Sequence, residues 1–179
     1  MHRSPALAVA AVLLLHVSLS AASPTSASRQ AADLLRISGM EAGLAVLADC
    51  EDDALAAALA SQSRVLVHGL VGERSTLTKL RSALTDAGLY GRVTLEQWDG
   101  EALPYADNLV NLLIVSREST LPEAEMMRVL TPDGVLCRFD GVRRRVRRKA
   151  WPEGMDEWSH WLHGPDNNAV ARDWVVGPP

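Results

Sequence analysis

Between Gly43 and Phe139, short apolar runs alternate with amphipathic segments, and this alternation most constrains what the chain can fold into. The runs Gly43 to Ala48, Val65 to Val67, Arg92 to Gln97, Leu109 to Val115 and Val135 to Phe139 predict strands. Leu109 to Val115 is almost wholly apolar, which places it centrally, covered on both faces. Between the runs, spacing of three and four predicts helices. Ala31, Leu34, Leu35 and Ile37 share a face from Ser28 to Ile37, and Gly39 stops that helix. Asp52 and Asp53 are placed to cap a second helix, where Leu55 and Leu59 lie one turn apart. Glu73 to Ala87 carries Leu77, Leu80, Leu84 and Ala87 on one face, with Gly88 closing it. Pro122 opens a helix containing Met126, Met127, Val129 and Leu130, and Thr131-Pro132-Asp133-Gly134 predicts a turn before the last strand.

Strand and helix alternating with short connections give an α/β fold, a mostly parallel twisted sheet with helices on both faces. The composition agrees: 47% of residues are hydrophobic, yet there is one Phe and two Tyr, so Ala, Leu and Val must build the core. In such sheets ligands bind beyond the carboxyl ends of the strands, near the point where strand order reverses. That edge comprises Asp49 to Asp52, His68 to Glu73, Trp98 to Gly100 and Ser116 to Glu118.

The termini differ in character from this body. Arg3, an apolar stretch from Ala6 to Leu15 and the small residues Ser20, Ala21 and Ala22 have the order of a secretory signal peptide over residues 1–22. The apolar run is short for a membrane span, and an uncleaved N-terminal anchor is the other reading. Export would bring Cys50 and Cys137 to an oxidising compartment, but a strand between theirs separates them too far for a disulfide. Both are therefore expected as buried thiols, and no metal site is expected of them. The α/β body spans residues 28–141; residues 142–179 hold the basic run Arg143, Arg144, Arg145, Arg147, Arg148 and Lys149, then Trp151, Trp158, Trp161 and Trp174. Asp156, His160 and His163 would share a helical face, a spacing compatible with a metal, although packing or capping by the histidines is the stronger reading. A net charge of −4 argues against a nucleic-acid partner, so the basic run reads as a solvated hairpin or an interdomain contact.

Two segments carry a family resemblance. Leu103-Pro104-Tyr105-Ala106-Asp107-Asn108-Leu109-Val110-Asn111-Leu112-Leu113 and Glu125-Met126-Met127-Arg128-Val129-Leu130-Thr131-Pro132-Asp133-Gly134-Val135-Leu136 are similar, in sequence and separation, to segments of class I S-adenosylmethionine-dependent methyltransferases. The resemblance covers Gly43 to Asp140 and implies a Rossmann-like methyltransferase fold. It also implies a cofactor site, S-adenosylmethionine, at Asp49, Cys50, Glu51, His68, Glu73, Trp98 and Asp99. In it Trp98 would give adenine a flat surface, Asp99 would meet its amino group, and an acid near the end of the second strand would hold the ribose. The sequence departs from that pattern where the chemistry is densest. Asp49-Cys50-Glu51-Asp52 stands where the family has a glycine-rich loop, and His68-Gly69-Leu70-Val71 where it has the acid, leaving Glu73 as the nearest.

The tail, from Lys149 through Trp151-Pro152-Glu153-Gly154-Met155-Asp156-Glu157-Trp158-Ser159-His160-Trp161-Leu162-His163 to Pro179, resembles a junction in exported planctomycete-type proteins. There a methyltransferase-like domain precedes a β-propeller of the pyrroloquinoline-quinone-repeat type. Three readings follow. In the first, a degenerate methyltransferase-like domain serves as accessory or docking module for a C-terminal propeller domain or a separate envelope partner. In the second, an active methyltransferase works on a small molecule or envelope substrate, with His68 the one candidate base. In the third, the Trp-rich tail binds glycans or a partner.

Overall fold

A computed structural model describes residues 25–51, 53–116, 118–140, 143–156, 159–166 and 168–174. The expected signal peptide, Asp52 and Trp158 lie outside them. The elements run α1 (Ser26–Ser38), β1 (Ala42–Leu47), α2 (Ala54–Gln62), β2 (Arg64–Val71), α3 (Arg74–Asp86), β3 (Val93–Gln97), β4 (Val110–Ser116), α4 (Glu123–Val129), β5 (Leu130–Asp140) and β6 (Arg143–Arg148).

The strands form one sheet in the order β3-β2-β1-β4-β5-β6, all neighbours parallel except the β5–β6 hairpin. β1 lies between β2 and β4, so strand order reverses there, and the apolar β4 is interior as its composition predicts. Each face of the sheet carries its own core. On one, Ala31 and Leu34 of α1, Ala56, Leu59 and Ala60 of α2, and Leu77, Leu80 and Leu84 of α3 pack on β-sheet valines and leucines. On the other, Met126 and Val129 of α4 pack with Val46, Leu70, Leu113, Trp98 and Leu103.

The helix stops follow from local chemistry. Thr25 Oγ1 accepts the Ser28 N–H at 3.1 Å at the start of α1, and Gly39 closes it at φ +70°, its N–H donating to Leu35 O. Asp53 occupies the N-cap position of α2, but its side chain makes no capping hydrogen bond, which corrects that half of the expectation; the other candidate cap, Asp52, lies outside the described residues.

Two further corrections concern strand length. β2 continues to Val71, because Gly69 finds parallel partners in both β1 and β3 and Leu70 and Val71 find theirs in β3, and this puts His68 inside the strand rather than at its end. The Thr131–Gly134 stretch is not a turn before β5 but an excursion within it. Val110 pairs with Leu130 and Leu112 with Val135, so one residue of β4, Asn111, faces four of β5, Thr131 to Gly134. Asp133 takes φ 60° there, and a Cβ on Gly134 would come within 2.8 Å of Thr131 O.

The segments that carry the resemblance turn out to bind each other. Arg128 donates from Nε and Nη2 to the two Glu125 oxygens at 2.8 and 2.7 Å, and from Nη1 to Asp107 Oδ1 at 2.7 Å and Tyr105 O at 2.8 Å. Glu125 in turn accepts the Leu103 N–H at 2.9 Å. Lys149 Nζ reaches Asn108 Oδ1 at 2.6 Å and Leu130 O at 2.7 Å. These partners hold the Glu125 carboxyl below its ordinary range, chiefly through the Arg128 hydrogen bonds. The two segments thus serve to hold each other and the strand ends in place.

Candidate functional site

At the carboxyl edge of the sheet the loop after β1 is pinned on both sides. Ala48 N–H donates to Ile114 O of β4 at 2.9 Å, and Cys50 N–H to Leu70 O of β2 at 2.8 Å. Between these bonds Asp49 adopts φ 59°, the left-handed conformation that glycine takes at least cost. Cys50 is buried and turns toward β2, where Gly69 makes room: a Cβ there would sit 3.2 Å from Cys50 Cβ and 3.3 Å from its Sγ. The glycine that permits close approach is therefore on the strand, and a protein side chain, not a ligand, uses the space.

A crevice of about 650 Å³ opens where β1 and β4 diverge, lined by Asp49, Cys50, Glu51, Ser116, Glu118 and Phe139 and bordered by the start of α1. An adjoining hollow of about 440 Å³ is shared by Asp49, Cys50 and Glu51 with Gly72, Glu73 and Thr76. Both fall in the size range of small-molecule pockets. Among the described residues lining them, the ionisable groups are the carboxylates of Asp49, Glu51, Glu73 and Glu118 and the Cys50 thiol; none is basic. Burial, and then the neighbouring Glu51 charge, push the Asp49 carboxyl above its ordinary value. Glu73 precedes α3, its carboxylate accepting the Ser75 hydroxyl and, at 3.3 Å, the Thr76 hydroxyl.

Of the sequence-predicted site residues, the fold thus gathers Asp49, Cys50, Glu51 and Glu73, and leaves the other three outside both hollows. Trp98 is 7% exposed in the α4-side core and donates its indole N–H to Ala102 O at 2.7 Å, so it offers no open platform for adenine. Asp99 is exposed and accepts the Glu101 N–H at 3.0 Å, a turn bond. His68 points from mid-strand to the loop over the α4-side face, its Nδ1 2.7 Å from the Tyr105 hydroxyl and its Nε2 3.6 Å from Glu96. Burial lowers the His68 pKa, opposed by Glu96, and burial raises that of Tyr105. The imidazole and the phenol share one hydrogen bond, closed off by an edge-on ring contact. His68 as a strand-end base is corrected accordingly.

S-adenosylmethionine laid out as the resemblance implies is not matched by these side chains. Its carboxylate would face Asp49 and Glu51 with no described cation in the lining, and its adenine would find Trp98 buried and Asp99 in a turn. Its sulfonium and ammonium would be welcome in an acidic crevice, and Glu73 is placed for hydroxyls. Glu118, Phe139 and the start of α1 complete the crevice, and only the last lacks a sequence signal, because α1 reaches it through tertiary packing.

In the tail, Asp156, His160 and His163 do not lie on a helix. His163 Nε2 is 2.5 Å from Asp156 Oδ2, and His160 pairs with Ser159 instead. Among the described residues no three His, Cys, Asp or Glu side chains cluster as a metal would need. Nor, among them, is any helix long and apolar enough to cross a membrane.

Comparison with solved structures places the fold. A Methanococcus maripaludis protein assigned as an S-adenosyl-L-methionine-dependent methyltransferase superposes with a TM-score of 0.57 at 22% identity, over 62% of this chain and 53% of that one. A geranyl diphosphate methyltransferase solved with S-adenosylmethionine gives 0.55 at 18% identity, over 62% of this chain and 48% of that one. The [4+2]-cyclase SpnF gives 0.55 at 20% identity, over 62% and 43%. The fold is thus the Rossmann-like fold of S-adenosylmethionine-dependent methyltransferases, and the chain spans about half the length of the structures it matches. The sequence itself matches no family model and no curated protein. Neighbours of one fold here carry names of different reactions, so the fold does not by itself decide the chemistry.

Proposed function

We propose that this chain is an exported, methyltransferase-fold module that has kept the scaffold and lost methyl transfer, serving as an accessory or docking module. Its partner in this reading is a C-terminal propeller domain or a separate envelope protein. The observation that carries the reading is the loop after β1, where Asp49, Cys50 and Glu51 set side chains and negative charge where a glycine loop would admit the cofactor's amino-acid end. Burial of Trp98 and the use of His68 as an anchor support it, since they leave neither adenine platform nor base. Docking is supported by the tail, where Trp161 is 93% and Trp174 81% exposed. Exposed apolar side chains that gather into one contiguous patch mark surfaces that meet a partner.

Calorimetric titration of S-adenosylmethionine and S-adenosylhomocysteine into the chain beginning after Ala22 tests this reading. No heat and no thermal shift at millimolar ligand is the expected result. Micromolar binding, weakened by Glu73→Gln, would overturn it in favour of an active methyltransferase. One observation favours that second reading: Glu73, Asp49 and Glu51 border adjoining hollows at the carboxyl edge, an environment suited to a sulfonium.

A further inference from the structure

The basic run is strand β6, and its register divides the arginines between two faces. Leu136 stands opposite Arg147, Arg138 opposite Arg145 and Asp140 opposite Arg143, so these arginines share the face that Leu136 buries against α4. Arg144 and Arg148 point to the other face. Most of the charges are answered within the chain: Arg144 by Asp33, Arg147 by Glu123, and Arg148 by the carbonyls of Asp133 and Ile37. Arg143 and Arg145 are exposed and have no side-chain partner among the described residues. Arg138, on an interior strand, makes one long bond of 3.5 Å from Nη2 to Ser119 O, while its Nε is buried with no partner.

Charged residues on an edge strand are ordinarily a guard against strand addition, and that accounts for Arg143 and Arg145 by themselves. It does not account for Arg138. Arg138 on β5 stands directly across from Arg145, with Cβ atoms about 5.5 Å apart or less as in any such pair, and like-charged residues in that register disfavour the pairing. Arg143 adds a third about 7 Å along the strand. Guanidinium groups so disposed match the paired oxygens of a phosphate-type anion.

We propose that the α4-side face of the β5–β6 hairpin binds a multivalent oxyanion of the phosphate or pyrophosphate type, held by Arg138, Arg143 and Arg145. The acidic crevice takes no part: its described lining carries no cation, and Phe139, the β5 residue it includes, lies across from Arg144 on the face opposite to that of Arg138 and Arg145. A second copy of the chain paired along β6 is disfavoured, because arginine would face arginine. The same chemistry is offered by a free phosphoanion and by an anionic lipid headgroup.

The test uses inorganic pyrophosphate on the chain beginning after Ala22, by calorimetry and thermal shift in 0.15 M salt, with phosphatidylglycerol vesicles in parallel sedimentation. Pyrophosphate should raise Tm, and R143Q/R145Q should weaken binding by about tenfold or more while the circular dichroism is unchanged. R144Q removes one charge from the opposite face and should leave binding as it was. Vesicle binding without pyrophosphate binding, lost in R143Q/R145Q, would support the proposal with the headgroup as the source. Binding of neither probe by the folded wild type, or equal loss in R144Q, would overturn it.

Discussion

Tyr105→Phe removes one oxygen from the contact that fastens the loop between β3 and β4 to the sheet, and keeps the ring. In the wild type the hydroxyl lies 2.7 Å from His68 Nδ1, and the His68 side chain is 18% exposed. Losing an ordinary neutral hydrogen bond costs about 1 kcal/mol, and an acceptor left buried without a donor costs about 1–3 kcal/mol. Some water reaches the imidazole, so the lower half of that range applies, and about 1–2 kcal/mol is expected. For a chain of this size that lowers Tm by about 3–6 °C. Urea unfolding at pH 8, where the imidazole is neutral in both states, measures it without a titration contribution. A cycle through His68→Ala and the double variant should return a coupling of about 1 kcal/mol, since the two side chains touch. A cost below about 0.3 kcal/mol, or strict additivity, would refute the assignment of His68 as an anchor and reopen its role as a base.

Three other outcomes follow from the same coordinates. Because burial lowers the His68 pKa beneath its ordinary 6.5, the unfolded chain takes up that proton first; the stability it contributes is complete above 6.5 and lost as pH falls toward the folded value, and His68→Gln should flatten Tm against pH in that window. Gly69→Ala should destabilise by about 1–3 kcal/mol in denaturant titration, because the new methyl meets the buried Cys50 and Leu95 side chains; a loss under about 0.5 kcal/mol would mean the β1 loop yields freely. Neither Cys50 nor Cys137 should react with a thiol reagent in the native state and both should in denaturant, since both thiols are buried and burial pushes Cys137 up to about 11; a single thiol or none in denaturant would contradict this.

Much of the fold is legible in the sequence because its signals are local. Apolar runs of strand length and helical spacing of leucines depend on neighbours within a turn or two, and all five parallel strands and four helices sit where those patterns put them, within a few residues. The separation of Cys50 from Cys137 by β4 follows from strand order, which the alternation restricts. Strand ends are less legible. Whether β2 stops at Val67 or runs to Val71 depends on partners in β1 and β3 that are distant in sequence, and those partners moved His68 from the edge to the interior.

The site shows the same division. That Asp49, Cys50, Glu51 and Glu73 lie at the carboxyl edge is determined by sequence, since each follows a strand that must point that way. Which side chains face a cavity is not. Trp98 follows β3 as plainly as Asp49 follows β1, yet it is turned inward by a hydrogen bond to Ala102 O and by packing against α4. The basic run announces its charge in sequence, but pairing with β5 decided which arginines found carboxylates and which did not. Local pattern determines the elements and their order; side-chain direction at the ends of elements is set by long-range packing, and there the tertiary structure alone decided the chemistry on offer.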